Sequence, residues 1–275
     1  QVHEVASNLY EIEMVQFFDE IPSHVVEWLK AQKVFFVATA PLTGDGHVNL
    51  SAKGVDGTFH IVDKNRVWYE DLTGSGCETI SHLREAGNGR ITIYFNAFEG
   101  PPRICRLFGK GTAYEFGTPE YNALVPPESR QPGSRSVIVV DVHKVATSCG
   151  YGVPFFEYKA ERPRLLEWAS SKEAHDVAST SSTPELPSKG LKAYWETTNT
   201  SSLDGLPGMN LLPVTIETRF MSSKKLDKKS TSRSRQKESG VVIPVDQKLM
   251  LGFALGALTV VVGGHLRSMG IGRFF

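Results

Sequence analysis

Apolar and polar positions follow two rhythms along this chain, and each change of rhythm marks an element. Over residues 14–32 the apolar positions Val15, Phe18, Val25, Val26 and Leu29 fall at helical spacing, and Pro22 divides the stretch into a loop and a helix capped by Ser23. Residues 33–40 (KVFFVATA) form a β-rich apolar run stopped by Pro41, and residues 42–46 have turn chemistry. The chain then alternates over residues 47–53, with Val48, Leu50 and Ala52 on one face and His47, Asn49, Ser51 and Lys53 on the other. Residues 58–62 and 66–71 flank Asp63-Lys64-Asn65 as the arms of a hairpin. A Gly-Ser stretch, residues 73–79 (TGSGCET), leads into a short helix over 78–85, and residues 90–95, 104–116 and 136–147 are further strands. About six strands with one or two helices between them give a mainly β (α+β) class and favour a small barrel; the strand–helix alternation of a doubly wound sheet is missing.

Beyond Tyr151 the texture changes. Residues 163–171 (PRLLEWASS) read as an amphipathic helix, residues 170–189 as a polar surface loop, and residues 203–208 (LDGLPG) as a tight, ordered turn. A Lys/Arg/Ser tract over 222–239 has no core-forming residues and is expected to be disordered. An uncharged run follows from Leu249 to Gly264, 16 residues and roughly 24 Å as a helix, at the short edge of a membrane span. It fits either an apolar helix of the globular part or a C-terminal tail anchor. The anchor is preferred because the run is apolar all round, follows the basic tract and lies near the chain end, with Lys224, Lys225, Lys228, Lys229, Arg233 and Arg235 on the cytosolic side. The expected organisation is an N-terminal extension (1–14), a barrel (15–160), a helix-and-loop extension packing on it (161–215), a basic linker (216–245) and the candidate anchor (246–266).

Composition narrows the function classes. With 275 residues and a formal net charge of zero, the chain lacks the basic face of a nucleic-acid binder. Its three cysteines, Cys77, Cys105 and Cys149, form no CxxC pair, so neither a disulfide framework nor structural zinc is expected, and a cytosol-facing location is. The polar, acidic residues 1–13 resemble no signal or transit peptide. No nucleophile elbow supports a hydrolase.

Three features point to an anionic ligand. Ser51 and Lys53 are two apart on a strand and share a face, a hydroxyl beside an ammonium; the pair alone also fits a solvated face. Thr73-Gly74-Ser75-Gly76 runs into a helix, where glycines let N–H groups turn toward a ligand; the same stretch also fits a plain turn in which Ser75 caps its own helix. Arg103 and Arg106, three apart on one strand, project from opposite faces, so at most one reaches a given ligand. Their order along the chain is more telling than any one of them.

The series FFVATAP, HVNLSAKG, VWYEDLTGSGCETISHL, GRITIYFNAFEGPPRICRLFGKG and TSCGYGVP resembles the pyridoxamine 5′-phosphate oxidase-like family, in particular its longer fungal members, over roughly residues 15–210. The resemblance implies a split β-barrel binding FMN, with Lys53 at the cofactor phosphate and Ser51 beside it. It implies that Tyr69, Asp71, Leu72, Thr73, Ser75 and Gly76 line the flavin ring and its ribityl chain, that Arg106 approaches the phosphate or a partner subunit, and that two copies form a homodimer with FMN in clefts between them. The expected activity is FMN-dependent oxidoreduction of an unknown small substrate. A flavin-binding or flavin-sensing module held at a membrane is the alternative, and a heme-handling or deazaflavin variant a third reading. The Arg/His element with which the vitamin B6 oxidases hold their substrate has no match after Thr147, so B6 oxidation does not carry over. Cys149 reads better as a small buried thiol in a strand-end turn than as a nucleophile, His47 and His82 as residues that could touch a flavin edge, with a surface or packing role favoured for His82, and Asp204 as an Asx-turn residue.

Overall fold

The computed structural model describes residues 15–178, 186–211 and 220. Residues 1–14, the basic tract and the apolar run from Leu249 to Gly264 lie outside the described residues, so the expected extension, linker and anchor do too. Among the described residues no helix is long and apolar enough to cross a membrane.

Eight strands among the described residues form one antiparallel sheet: β1 (Gln16–Phe18), β2 (Phe35–Thr39), β3 (Asn49–Lys53), β4 (Phe59–Asp63), β5 (Arg66–Leu72), β6 (Arg90–Asn96), β7 (Ile104–Glu115) and β8 (Ser134–Ser148). Their order is β3-β2-β6-β7-β8-β5-β4, with β1 added beside β8. The class is mainly β, as the periodicity predicts. Among the described residues the strand number exceeds the expected six, in part because Gln16–Phe18, in the stretch read as loop before Pro22, is extended. This segment pairs with the end of β8, Gln16 opposite Thr147 and Phe18 opposite Val145.

The sheet splits on β8. One side of this 15-residue strand is bonded to β7 along its length, while the other takes β5 over its first half and β1 over its last residues. The register shifts between Phe108 and Gly109. Gly109 is required there, since a Cβ would come within 2.5 Å of a Val140 methyl and 2.7 Å of the Asp141 carbonyl. The sheet also curls on itself. Phe35 on β2 packs against Phe59 on β4 and Tyr69 on β5, strands from the opposite end of the order, with ring centroids 5.2 and 5.6 Å apart. Val37, Ile93, Phe95, Leu107 and Val67 complete the buried interior.

Among the described residues five helices dress this barrel: α1 (Ser23–Ala31), α2 (Glu78–Arg84), α3 (Pro119–Leu124), α4 (Arg164–Ala178) and α5 (Leu191–Thr198). Helix α1 buries Val25 and Leu29, one turn apart. Its N-cap is Pro22 with no side-chain cap bond, so Ser23 is the first helical residue and not the expected cap. Helix α4 continues through residues 170–178, expected as loop, because Leu166, Ala169 and Glu173 recur on the buried face at helical spacing. The tight turn over residues 203–208 is present: Ser201 bridges Pro207, and Gly205 has φ +76°. Asp204 does not close its own turn, however. Its two carboxylate oxygens accept from the amide and ring Nδ1 of His47 at 2.8 and 2.6 Å.

Candidate functional site

Side chains directly paired across antiparallel strands lie on the same face. Ser51 pairs with Val37, which pairs with Ile93, itself opposite Leu107, and Lys53 pairs with Phe35. All four partners are interior residues, so the polar face of β3 points into the barrel. Its apolar face points out, leaving Val48 and Leu50 74% and 67% exposed. This strand is inside out relative to ordinary burial, and the reason lies in what its polar side chains reach.

At one end of β3, Lys53 Nζ donates to Asp71 Oδ1 at 2.7 Å. At the other, Asn49 Nδ2 donates to Thr79 Oγ1 at 3.1 Å, in the first turn of α2. The strand is thereby fastened at both ends of the Gly-Ser loop, with Ser51 between them. Its Oγ is buried and has no hydrogen-bond partner among the described residues.

Asp71, fully buried, is held from the far side by Arg135, whose Nε donates to Oδ2 at 2.8 Å. Burial alone would push this carboxyl up, but Arg135 and then Lys53 outweigh it and hold it down to about 2. One carboxylate lies between two cations, and a second, that of Glu78, lies against Gly76 on the loop. The Arg135 guanidinium also donates to the Gly76 carbonyl at 2.8 Å and to Asn199 Oδ1 at 2.9 Å, and Asn199 Nδ2 donates to the Gly74 carbonyl at 3.2 Å. Among the described residues no acceptor is found for the amide groups of Gly74, Ser75, Gly76 and Cys77.

The other expected residues are distributed unevenly about this cluster. Ser75 is exposed on the loop and caps nothing; Cys77 occupies the N-cap of α2 without a side-chain cap bond. Leu72 is half-buried at the end of β5. Thr73 is taken up by the fold: its hydroxyl donates to the Gly133 carbonyl at 2.6 Å and accepts from Trp195 Nε1 at 2.8 Å. Tyr69 is fully buried beneath Lys53, which lies 5.9 Å from its ring, and its unpartnered phenol is pushed well above its usual range by burial. Arg106 is not brought to this cluster. It pairs with Tyr94, which pairs with Phe36, itself opposite Ala52, so it lies on the outer face, stacked 5.3 Å from the Tyr94 ring.

Arg135 and Asn199 went unnoticed in the sequence. An arginine entering the apolar run SVIVV was a signal for the first; the second has none, because its partners are 64 and 125 residues away. His82 is fully buried on α2, its Nδ1 2.9 Å from Thr39 Oγ1, which agrees with a packing role. Cys149 is half-buried in the turn after β8. No group of three or more His, Cys, Asp or Glu among the described residues could hold a metal ion.

No family model matches the chain. A curated relative, the pyridoxamine 5′-phosphate oxidase family protein ustO of Aspergillus flavus, is 38% identical over 209 residues, covering 70% of this chain and 78% of that protein. Among solved structures, HupZ from Group A Streptococcus aligns at 19% identity and a TM-score of 0.37, covering 46% of this chain and 91% of that one. A protein of the pyridoxinephosphate oxidase family from Clostridium acetobutylicum aligns at 15% and 0.31, covering 46% and 86%. An FAD-binding protein from Mesorhizobium loti aligns at 10% and 0.31, covering 49% and 96%. Scores this low carry no weight beside the sequence relationship, which covers most of both proteins and decides the matter: this chain belongs to the pyridoxamine 5′-phosphate oxidase family.

Proposed function

We propose that the chain is an FMN-binding oxidoreductase acting on a small substrate, with the cofactor phosphate held by Lys53, Ser51 and the Gly-Ser loop. The observation that carries this reading is the unpartnered, buried Ser51 hydroxyl on a strand fastened at both ends of that loop. A buried hydroxyl without a partner costs about 1–3 kcal/mol, and a phosphate oxygen is the acceptor it lacks. Lys53 supplies charge, and the amide groups of the loop supply further donors. Asp71 acts indirectly: it holds Lys53 and Arg135 in position. Thr73 takes no part through its hydroxyl, and Arg106 none within one subunit. Bound flavin would supply two-electron chemistry, while the protein binds, orients and excludes water.

The inverted face of β3 supports the homodimer as well, since a second copy covering Val48 and Leu50 would remove both from water. One observation favours the alternative of a binding or sensing module without turnover: Asp71, Lys53 and Arg135 are all committed to one another, which leaves no charged group of this cluster free as an acid or base. The tail anchor stays a proposal, tested by whether membranes retain the full chain in alkaline carbonate.

The first experiment is the absorption spectrum of the purified full chain before and after denaturing release. Flavin bands with FMN in the released fraction support the proposal; a colourless protein that takes up no added FMN sinks it. A bound flavin left oxidised by NADH, NADPH and B6 vitamers moves the reading to the sensing module.

A further inference from the structure

The Gly-Ser loop is held from behind by a residue far outside the motifs, and this arrangement fixes the direction of its amide groups. In a planar trans peptide the C=O and N–H point in opposite directions. The Gly74 carbonyl, which accepts from Asn199 Nδ2, shares its peptide with the Ser75 amide. The Gly76 carbonyl, which accepts from Arg135, shares its peptide with the Cys77 amide. Drawing both carbonyls toward Asn199 and Arg135 turns the Ser75 and Cys77 amides away from them. Neither amide has an acceptor among the described residues, although Cys77 is itself buried.

Asn199 is fully buried and fixed by its own backbone: its amide donates to the Trp195 carbonyl at 2.8 Å, and its carbonyl accepts from the Met209 amide at 2.8 Å. Gly208 passes so close that a Cβ there would meet the Asn199 carbonyl at 2.4 Å and Cys77 Sγ at 2.5 Å. The side-chain amide of Asn199 therefore has little freedom. Its oxygen accepts from Arg135 while its nitrogen holds the loop, so it couples the loop to the buried Lys53–Asp71–Arg135 cluster.

We infer that Asn199 is a positioning residue for phosphate recognition, contributed by the segment after α5: it sets the loop so that the Ser75 and Cys77 amides, together with the unpartnered Ser51 hydroxyl, present donors to one phosphate group. The inference rests on the phosphate-anchoring reading of the same loop. It makes the C-terminal extension part of the recognition of phosphate, with no contact of its own to the ligand.

The test compares FMN with riboflavin, which share every group except the phosphate. Dissociation constants are measured by flavin fluorescence on the full chain and on two variants. Asn199→Leu removes both hydrogen bonds of the side chain. Trp195→Phe loosens the same extension through Thr73 but leaves the Gly74 and Gly76 carbonyls tied. The expected result is that Asn199→Leu lowers the preference for FMN over riboflavin about tenfold, with riboflavin affinity nearly unchanged, and that Trp195→Phe leaves the preference as it was. An unchanged preference in Asn199→Leu, or an equal loss in both variants, overturns the inference and leaves the proposed function standing. Should the wild-type chain bind neither flavin, inorganic phosphate is titrated while the backbone amide resonances of residues 75 and 77 are followed. Shifts present in the wild type and lost in Asn199→Leu then support the inference while the flavin reading falls. No shift in the wild type overturns both.

Discussion

Two buried ion-pair clusters flank the beginning of β8, and they differ in what surrounds them. Arg130 donates to Glu173 Oε1 at 2.7 Å and to the Ser134 carbonyl at 3.0 Å, and its guanidinium lies 4.8 Å from the rings of both Phe116 and Phe220. The same carboxylate oxygen accepts from the Gly133 amide at 2.7 Å. This cluster pins α4 to the barrel. At the other, the carboxylate of Asp71 lies between Lys53 and Arg135, Lys53 retains 19% exposure of its side chain, and Ser51 stands by unpartnered. Both are buried and both perturb the groups they contain, so burial and perturbed ionisation do not distinguish a fastening from a site. The distinction lies in surroundings: aromatic rings close over Arg130, whereas the Asp71 cluster backs onto a glycine loop whose amides have no acceptor among the described residues.

The sharpest way to break this comparison is to remove one anion from the fastening cluster. Glu173→Ala leaves Arg130 buried without its counter-ion, a change that costs about 3–5 kcal/mol when a buried pair is broken. Urea unfolding should show a loss of that order, with the FMN-over-riboflavin preference of whatever remains folded unchanged. A change of preference instead would mean that the two clusters are not separate in function.

Acid distinguishes them next. Asp71 is held down to about 2, below the roughly 3.9 of an unfolded aspartate. Its contribution is therefore fully present above about pH 4 and is lost as pH falls from there through about 2; two units correspond to about 2–3 kcal/mol. His82 acts in the same direction at higher pH. Burial lowers its pKa, so its contribution begins to fade below about 6.5. Stability measured between pH 5 and 2 should fall steeply in the wild type and less so in Asp71→Asn, which starts from a lower value. Parallel curves would remove Asp71 from the account.

Much of this was legible in the sequence, and what was not has a physical reason. Period-two alternation over residues 47–53 gave both the strand and the shared face of Ser51 and Lys53, because strand geometry makes that relation local. Which face turned inward was not legible: Val48 and Leu50 look like core, and only the partners of Lys53 and Asn49, at residues 71 and 79, reverse the strand. The direction of Arg106 was not legible for a related reason. Its spacing from Arg103 allowed one of the two to point inward, and strand register, which sequence does not state, put Arg106 in the row of Phe36 and Tyr94. Residues 170–178 were read as loop from their polar composition, although Glu173 there is the buried partner of Arg130.

Lys53→Ala tests the partly exposed member of the site. Asp71 keeps Arg135 and Lys53 is partly exposed, so unfolding free energy should fall by about 1.5 kcal/mol, the low end for a hydrogen bond to a charged group. FMN affinity should fall by about tenfold, ~1.4 kcal/mol, while riboflavin affinity holds. Equal losses for both flavins would assign Lys53 to the fold alone.

The smallest effect discriminates best, because it separates the two roles by sign. Ser51→Ala removes a buried hydroxyl that makes no hydrogen bond. If that hydroxyl served only the fold, its loss would relieve an unsatisfied polar group and change nothing else. The same deletion at the fastening cluster, Ser134→Ala, has no such asymmetry, since the Ser134 hydroxyl already accepts from Tyr121 at 2.7 Å. Ser51→Ala should therefore leave the ligand-free protein as stable as the wild type or more so, by up to about 1 kcal/mol, and weaken FMN by about 0.5–1.5 kcal/mol. Ser134→Ala should weaken the fold and spare the ligand. Opposite signs at the two serines, read from paired unfolding and binding curves, would establish that the Ser51 hydroxyl serves the ligand and the Ser134 hydroxyl serves the fold.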